Sequence, residues 1–504
     1  MSTVTAWLRH LAERHGDAEA LREPDGMAVS FAELDRRVGA LAGGLRSQGL
    51  GRGDRLASFV PNGLLPVELL LAAGRLGAVT IGVNTRYRSD DLRHVLDRAR
   101  PRLLVGADDF LGIPFGDIVA GALDGLASPP RVLWASDVDG LRHEGPVDDQ
   151  AQPTDFLVAF TTSGTTGRPK LAAHDHAGTV RHLRAAARSL QVGPGSTALL
   201  AVPFCGTFGF VSLLSMLAGG GRVVVQARFE PAVAAALMEE HRVTHLSGSD
   251  DMLLAVLGAG RDLSSWRHGV PADFTGHGLE AVTAAEAVGA RLTGVYGSSE
   301  TFALLARWSP TDPAPERGRN GGVPVDEATE VRVVDTATGR PLAPGTPGEL
   351  QMRGPSVLGG YLVEDGVAPP PRTTDGWFPT GDLGRVEPAG GFVYLARLGD
   401  ALRLAGFLTD PAEIEQRLLG HPVVTGAQVV GAPSDRGGEV AVAFVTVHGE
   451  VAEEVLVAHC RAGLANFKVP TRVVVVDAFP TVDGANGVKI LKEELRRMAA
   501  ETAR

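Results

Sequence analysis

The sequence predicts an α/β fold in which a large N-terminal domain precedes a small C-terminal domain. Helix-like and strand-like apolar patterns alternate over roughly the first 300 residues, and short strand-like runs broken by Gly and Pro follow Arg319. The chain has 504 residues, which is more than one hydrophobic core usually supports. We therefore expect residues 1–397 to form wound α/β subdomains plus a β-rich subdomain, and residues 398–504 to form a small α+β domain.

The N-terminal part predicts two α/β successions separated by an irregular segment. Apolar residues recur every three or four positions in the predicted helices, whereas short continuous apolar runs predict buried strands. The segment 110–153 is rich in Gly, Pro and Asp, which predicts irregular connections. The predicted helices are 31–45, 66–76, 89–99, 177–190 and 231–241, and the predicted strands are 55–60, 78–83, 102–105, 155–160, 197–202 and 222–226.

The C-terminal part predicts β structure first and a mixed domain last. Residues 330–334 and 348–352 have strand-like patterns, and the Pro-rich segment 365–371 predicts an exposed loop. In the small domain we expect a helix at 413–419, strands at 440–447 and 472–476, and a charged helix at 489–497.

Composition excludes several classes of protein. The net charge of −11 and the pI near 5.7 argue against a nucleic-acid partner, which would favour a basic face. The two cysteines offer neither a disulfide framework nor metal-ligand spacing, and no signal peptide is evident at the start. The longest apolar region, 64–83, contains Glu68 and Arg75, which favours a buried helix and strand over a membrane span. We expect a cytoplasmic protein without a membrane span, acting as a monomer or homodimer on small molecules.

The segment Phe160-Thr-Thr-Ser-Gly-Thr-Thr-Gly-Arg-Pro-Lys170 is suited to holding a polyphosphate. Its two glycines allow backbone N–H groups to converge on an anion, its hydroxyls add donors, and Lys170 supplies a charge. Pro169 separates Arg168 from Lys170, so the segment is not a Walker loop. Such a composition alone is as typical of a surface turn as of a phosphate site. The candidate nucleotide-binding residues here are Thr162, Ser163, Gly164, Thr165, Thr166, Gly167 and Lys170.

The order of residues in this loop resembles the signature of the adenylate-forming superfamily, which includes acyl-CoA synthetases, nonribosomal-peptide adenylation domains and firefly luciferase. Further elements resemble that family in the same order along the chain. They are Tyr296-Gly-Ser-Ser-Glu300, Thr380-Gly-Asp382, the stretch 397–415 and Asn486-Gly-Val-Lys-Ile490. The resemblance therefore covers nearly the whole chain.

The resemblance implies roles for two of these elements in holding the nucleotide. Tyr296 would stack on adenine, within a turn that continues through Gly297, Ser298 and Ser299, and Glu300 would help to hold Mg²⁺ on the triphosphate. An aromatic face and hard carboxylate oxygens suit these roles. Taken without its partner motifs, the element would be a strand-terminating turn with a solvated glutamate.

Three residues further along the chain would complete the site and its hinge. In the family resembled here, Asp382 matches the acceptor of the ribose hydroxyls, Arg397 a second ribose or phosphate contact, and Asp400 the hinge residue of the small domain. Without the resemblance, Asp382 would be a turn residue and Arg397 a member of a surface ion pair.

Lys489 is the expected catalytic lysine of the adenylation step. The resemblance implies that a lysine in this C-terminal loop bridges the carboxylate and the α-phosphate as charge builds up. Family members usually show Gly-Lys, whereas Val488 intervenes here between Gly487 and Lys489. Lys492 is a competing candidate, although its charged neighbours favour a solvated helical face.

The resemblance implies a two-step cycle. An acid attacks the α-phosphate of Mg·ATP to give an adenylate and pyrophosphate, and a nucleophile then displaces AMP after the small domain has turned. CoA is the favoured nucleophile, which makes the protein an acid:CoA ligase. Two alternatives stay open: a natural-product enzyme that activates nitrite to diazotise an aryl amine, and a non-catalytic nucleotide-binding homologue.

The acid pocket departs from the usual pattern. Comparable acyl-CoA synthetases carry Pro-Leu-Phe-His followed by Gly three residues later, whereas this chain has Pro203-Phe-Cys-Gly-Thr-Phe-Gly209, which leaves Gly206 where a larger side chain usually stands. The usual Gly-Gly-Ala-Pro segment is also not recognisable in 269–276. The expected lining would suit a mid-sized aromatic or short aliphatic acid. It comprises Phe204, Gly206, Phe208, Gly209 and Gly248.

Overall fold

The computed structural model describes residues 2–143, 147, 149–162, 169–404, 407–433, 439–464, 466–484 and 487–502. The chain divides into two compact units, the first comprising residues 1–330 and 353–378 and the second residues 331–352 and 379–504. The segments 331–352 and 379–397 thus cluster with the C-terminal residues. The boundary expected after residue 397 stays a prediction.

The first unit contains an eight-stranded sheet that carries the phosphate-loop lysine. Its inner strands are parallel, and three strands at one side are antiparallel to their neighbours. In spatial order the strands are Gly366–Ala368, Gly360–Val363, Leu171–Asp175, Phe156–Thr161, Val79–Gly82, Arg55–Phe59, Leu103–Gly106 and Arg131–Trp134.

A seven-stranded sheet and two smaller strand groups complete the β structure of the first unit. The order in the seven-stranded sheet is Arg291–Leu292, His268–Gly269, His245–Leu246, Thr197–Leu200, Arg222–Val225, Glu19–Arg22 and Ala28–Ser30. Gly248–Ser249 pairs with Pro271–Ala272. The antiparallel strands Val295–Ser298, Phe302–Arg307 and Gly321–Pro324 carry the tyrosine motif.

Helices pack on the sheets of the first unit through their apolar residues. In Ser89–Ala99, for example, Leu92, Val95, Leu96 and Ala99 are buried. The helices are Val4–His15, Phe31–Ser47, Leu64–Arg75, Ser89–Ala99, Phe115–Leu123, Ala135–Val138, His176–Ser189, Thr207–Ala218, Pro231–Glu240, Asp250–Leu257, Gly278–Ala285 and Ala314–Arg317, with short 3₁₀ turns at Asp139–Leu141 and Glu286–Val288.

Among the described residues, the second unit has three β groups and three helices, with an apolar core of its own. The strands Glu330–Val334, Gly348–Arg353, Phe378–Val386 and Phe392–Arg397 form one group. A five-stranded sheet comprises Phe407–Thr409, Leu402–Leu404, Glu439–Val447, Val424–Pro433 and Arg472–Val475, and Thr481–Gly484 pairs with Gly487–Ile490. The helices are Pro411–Leu419, Glu453–Arg461 and Lys492–Thr502, with a 3₁₀ turn at Asn466–Lys468.

The predicted α/β fold is confirmed, with three local corrections. The segment 110–153 is not irregular, since it contains Phe115–Leu123 and Arg131–Trp134. The segment 365–371 includes the short edge strand Gly366–Ala368. The last helix begins at Lys492, not at Lys489, because Gly487–Ile490 is a strand. Within the described residues, no helix has the length and apolar character that crossing a bilayer requires.

Candidate active site

The stem of the phosphate loop is a pair of antiparallel strands. Phe156–Thr161 and Leu171–Asp175 run side by side, and the backbone N–H of Thr162 donates to the carbonyl of Lys170 at 2.9 Å. The hydroxyl of Tyr87 donates to Thr161 at 3.2 Å. Thr162 is buried and Lys170 is partly exposed. The predicted phosphate-binding residues Ser163, Gly164, Thr165, Thr166 and Gly167 lie outside the described residues.

The tyrosine motif forms a tight turn between two strands. Ser298 lies opposite Phe302 in the hairpin, and the Ser298 hydroxyl accepts from the backbone N–H of Glu300 at 3.2 Å. Tyr296 is only 6% exposed. A side chain at Gly297 would collide with the backbone of Phe302, which is why glycine is needed there. The turn therefore presents Glu300 in a fixed place beyond the end of its strand.

Two buried histidines support this turn through Phe302. The ring of His174 stacks on Phe302 at 3.9 Å between centroids, and the ring of His182 does so at 4.5 Å. The His174 Nε2 atom also lies 2.7 Å from the carbonyl oxygen of Ser299. Phe302 has a φ of +60°, which a non-glycine residue adopts only when its surroundings hold it. These contacts give His174 a structural role in holding the turn.

The buried histidines make stability depend on pH. Burial lowers the pKa of His174 to about 4 and that of His182 to about 3, from a usual value of 6.5. Below pH 6.5 the unfolded chain binds protons that the folded chain does not. We therefore expect the free energy of unfolding to fall as pH decreases from 6.5 towards 4, by up to about 1.4 kcal/mol per pH unit for each histidine.

Urea unfolding at pH 7.5, 6.0 and 5.0 checks this expectation. In the wild-type protein, His182 Nδ1 lies 3.1 Å from the hydroxyl of Ser356, and the amide of His182→Gln can still bond this hydroxyl. Because glutamine does not titrate, the free energy of unfolding of His182→Gln should decline less steeply with decreasing pH. Equal stability at pH 7.5 and 5.0 in the wild-type protein would contradict it.

Tyr361 connects the phosphate-loop lysine to the magnesium-ligand candidate. The Lys170 Nζ atom lies 5.3 Å from the centre of the Tyr361 ring, and the Tyr361 hydroxyl donates to Glu300 Oε1 at 3.3 Å. Sequence reasoning missed Tyr361, because 61 positions separate it from Glu300 and its strand pattern carries no sign of the contact. Tyr361 thus contacts two predicted site residues, Lys170 and Glu300.

The surroundings of Glu300 fit a divalent cation. The carboxylate is partly exposed, and within the described residues no lysine or arginine forms an ion pair with it. Carboxylate oxygens are the hard ligands that Mg²⁺ prefers. Glu300 could thus hold Mg²⁺ together with the phosphates of a bound nucleotide.

The ribose-acceptor candidates lie together in the second unit. Asp382 and Arg397 are opposite each other on neighbouring antiparallel strands, and the Arg397 Nη1 atom is 2.9 Å from Asp382 Oδ1. The side chain of Asp382 is 3% exposed, whereas that of Arg397 is 47% exposed. Burial, followed by the charge of Asp382, raises the pKa of the nearby Tyr394 phenol. The carboxylate is thus held in place by a guanidinium that still reaches solvent.

The hinge and lysine candidates also belong to the second unit. The backbone N–H of Asp400 donates to the carbonyl of Arg397 at 2.8 Å, and its side chain forms an ion pair with Arg496. Lys489 lies opposite Val482 in the last strand pair. Lys492 begins the last helix, and its Nζ atom is 3.8 Å from Glu415 Oε1. Lys492 is therefore already engaged by a carboxylate.

Only some of the residues expected to line the acid pocket lie close to one another. Phe204, Cys205 and Phe210 line a small apolar cavity of about 20 Å³. Gly206 precedes the helix Thr207–Ala218 and Gly209 packs against the backbone of Pro203, where a side chain would collide. Phe208 is buried, and Gly248 lies on a different strand pair. The role of these residues in acid binding stays a prediction.

Comparisons with known proteins identify the class of this chain. Residues 8–362 match the AMP-binding enzyme family, and residues 413–484 match the AMP-binding enzyme C-terminal domain. The chain is 32% identical to a feruloyl-CoA synthase from an Amycolatopsis species, with 98% of each chain covered.

Solved structures agree with that class. The o-succinylbenzoate CoA synthetase of Bacillus subtilis, in complex with its acyl-adenylate intermediate, aligns with a TM-score of 0.81 at 25% identity over 97% of both chains. The amide bond synthetase of Marinactinospora thermotolerans aligns with a TM-score of 0.83 at 25% identity, covering 98% of this chain and 99% of that one.

The chain therefore belongs to the AMP-binding enzyme family, as its motifs predicted. It is an ATP-dependent adenylate-forming ligase of the acid:CoA ligase family. These relatives lend no support to the nitrite-activating alternative.

Proposed function

We propose that this protein joins a small or mid-sized carboxylic acid to CoA through an adenylate that it makes from Mg·ATP. The observation that supports the proposal is that Tyr361 contacts both Lys170, the proposed phosphate-binding cation, and Glu300, the proposed Mg²⁺ ligand. Relatives that ligate acids to CoA support CoA as the acceptor. We also propose a cytoplasmic location and a monomeric or homodimeric state.

The first step would form the adenylate. An oxygen of the acid attacks the α-phosphorus of ATP, and the bond to the β,γ-pyrophosphate breaks. Lys170 would neutralise phosphate charge, Tyr296 would stack on the base, and Asp382 would accept from the ribose hydroxyls. Lys489 would stabilise the charge that develops at phosphorus. Glu300 would hold Mg²⁺, which when bound would neutralise further charge on the triphosphate.

The second step would transfer the acyl group. The CoA thiol attacks the acyl carbon of the adenylate, its proton is released, and AMP leaves with the electrons of the broken C–O bond. The rotation that exposes the adenylate to the thiol would occur at Asp400. The aromatic side chains of Phe204 and Phe210 beside the small cavity favour an aromatic or short aliphatic acid.

A pyrophosphate-release screen tests the proposal. Purified protein is given Mg·ATP with a panel of aromatic and aliphatic carboxylic acids and, separately, with nitrite. For each active acid, CoA or an aryl amine is then added and the products are identified by mass spectrometry. We expect release with carboxylic acids and an acyl-CoA product. Release with nitrite alone, or an amide as the sole product, would overturn the acceptor or substrate assigned here.

Glu300→Gln tests the magnesium assignment within the same reaction. The amide keeps the shape of the side chain but is a weaker ligand for a hard cation, so adenylate formation should need about tenfold more Mg²⁺ for half-maximal rate. The matched variant Asp382→Asn should lower the rate without being rescued by added Mg²⁺, since its effect would be on ribose positioning. If excess Mg²⁺ restores neither variant, Glu300 is not the magnesium ligand.

A further inference from the structure

Tyr361 contacts two oppositely charged site residues, Lys170 through its ring and Glu300 through its hydroxyl. It lies on the strand Gly360–Val363, opposite Ala172 in the neighbouring antiparallel strand that follows Lys170. This register brings the phenol ring to 5.3 Å from the Lys170 ammonium, while its hydroxyl reaches Glu300 at 3.3 Å. Tyr361 is 8% exposed, so surrounding packing fixes its ring.

The same segment also holds the backbone of Glu300. The Leu358 N–H donates to the Glu300 carbonyl oxygen at 2.8 Å, and Arg372 in turn donates to the Leu358 carbonyl at 3.4 Å. Residues 358–361 thus hydrogen-bond both the main chain and the side chain of Glu300. A change at Tyr361 would affect how the Glu300 side chain is held but not its main chain, because the hydrogen bond from Leu358 is independent of the phenol.

An aromatic ring between a cation and an anion has a specific electrostatic effect. The negative face of the ring attracts the ammonium, and the hydroxyl donates to the carboxylate, so each charge is stabilised without contacting the other. In the part of the chain that the structure describes, neither Lys170 nor Glu300 forms an ion pair.

We propose that Tyr361 is a positioning residue that keeps Lys170 and Glu300 from pairing with each other, so that the ammonium remains available to phosphate and the carboxylate to Mg²⁺. This inference rests on the proposed adenylation of an acid with Mg·ATP. A direct ion pair between the two side chains would have to be broken each time the nucleotide binds, and Tyr361 removes that step.

Two substitutions at Tyr361 separate its two contacts. Tyr361→Phe keeps the ring over Lys170 but removes the donor to Glu300, whereas Tyr361→Leu removes both and lets the two charges meet. Calorimetric titration with ATP in Mg²⁺ and in EDTA reports binding apart from turnover, and pyrophosphate release reports the rate. Tyr87→Phe is the matched control, since it removes a partly buried phenol hydroxyl that donates to a hydroxyl of the same loop stem.

The expected pattern differs between the variants. Tyr361→Phe should need about tenfold more Mg²⁺ for half-maximal rate, as loss of one hydrogen bond to a charged group implies, with ATP binding in EDTA unchanged. Tyr361→Leu should also weaken ATP binding in EDTA, and adding Glu300→Gln to it should restore that binding by releasing Lys170. Tyr87→Phe should leave the Mg²⁺ dependence unchanged.

The outcomes distinguish this inference from the function on which it rests. Wild-type values for Tyr361→Phe and Tyr361→Leu, together with an altered Mg²⁺ requirement in Glu300→Gln, would overturn the role of Tyr361 alone. A normal Mg²⁺ requirement in Glu300→Gln would overturn the magnesium site itself. Failure of the second substitution to restore ATP binding to Tyr361→Leu would show that the two charges do not pair. Thermal unfolding of each variant identifies any loss of binding or rate that comes from misfolding. If Tyr361→Leu fails to fold, Tyr361→Phe, which keeps the ring, decides whether the role of Tyr361 holds.

Discussion

Replacing Lys489 by alanine should slow formation of the adenylate by ~10²-fold or more, because an electrostatic contact made at the transition state is lost. A chemically prepared adenylate should still be consumed at nearly the wild-type rate when CoA is present. The two half-reactions are measured separately, as pyrophosphate release from ATP and as AMP release from the adenylate.

Lys492→Ala is the matched control for this prediction. The Nζ atom of Lys492 lies 3.8 Å from Glu415 Oε1. Burial raises the pKa of Glu415, and the charge of Lys492 offsets part of that rise. Its loss should therefore lower stability by leaving a mostly buried carboxylate without its partner, with a small effect on the rate of adenylation. A near-normal Lys489→Ala, or a slow adenylation step in Lys492→Ala at unchanged stability, would transfer the catalytic role to Lys492.

Asp400→Pro should have the opposite effect. Proline fixes φ and removes the N–H that Asp400 donates to the carbonyl of Arg397, so the backbone at the proposed hinge can no longer change freely. We expect the adenylate to form while its transfer to CoA slows by about an order of magnitude or more. Burst kinetics, with one adenylate formed for each enzyme and little turnover, would reveal this behaviour.

Asp400→Ala separates backbone freedom from side-chain pairing. This variant loses the ion pair with Arg496 but retains the N–H and its bond to Arg397. If Asp400→Ala stalls transfer as strongly as Asp400→Pro, the ion pair and not the rotation of the backbone is responsible. Parallel losses of both half-reactions in Lys489→Ala and Asp400→Pro would rule out alternation between two conformations.

Local patterns in the sequence predicted most of the secondary structure. The helix Ser89–Ala99 has the predicted bounds, and the strand predicted at 155–160 occurs at Phe156–Thr161. The helix Phe115–Leu123 was missed because Gly116, Asp117 and Gly121 dilute its apolar pattern, although Phe115, Ile118, Val119 and Ala122 are buried. In such a segment, tertiary packing outweighs intrinsic helix propensity.

Motifs identified candidate site residues, whose roles stay predictions, but not how these residues contact one another. The structure places Glu300 at the end of a turn after a strand and pairs Asp382 with Arg397, a pairing that the motifs did not predict. Tyr361 could not be inferred, because its contacts depend on the register between two strands far apart in the chain. The placement of Lys489 was wrong locally: the alternation of Val488 and Ile490 continues a strand up to the start of the last helix.

The ion pair between Arg496 and Asp400 connects the last helix of the chain to the proposed hinge. Arg496 also donates to the carbonyl oxygen of Gly399 at 3.1 Å, so the helix Lys492–Thr502 contacts both residues at this position. The same helix follows directly after the strand that carries Lys489. We therefore expect that removing the helix Lys492–Thr502 would abolish the contacts at Gly399 and Asp400 and would leave the Lys489 strand without the segment that follows it.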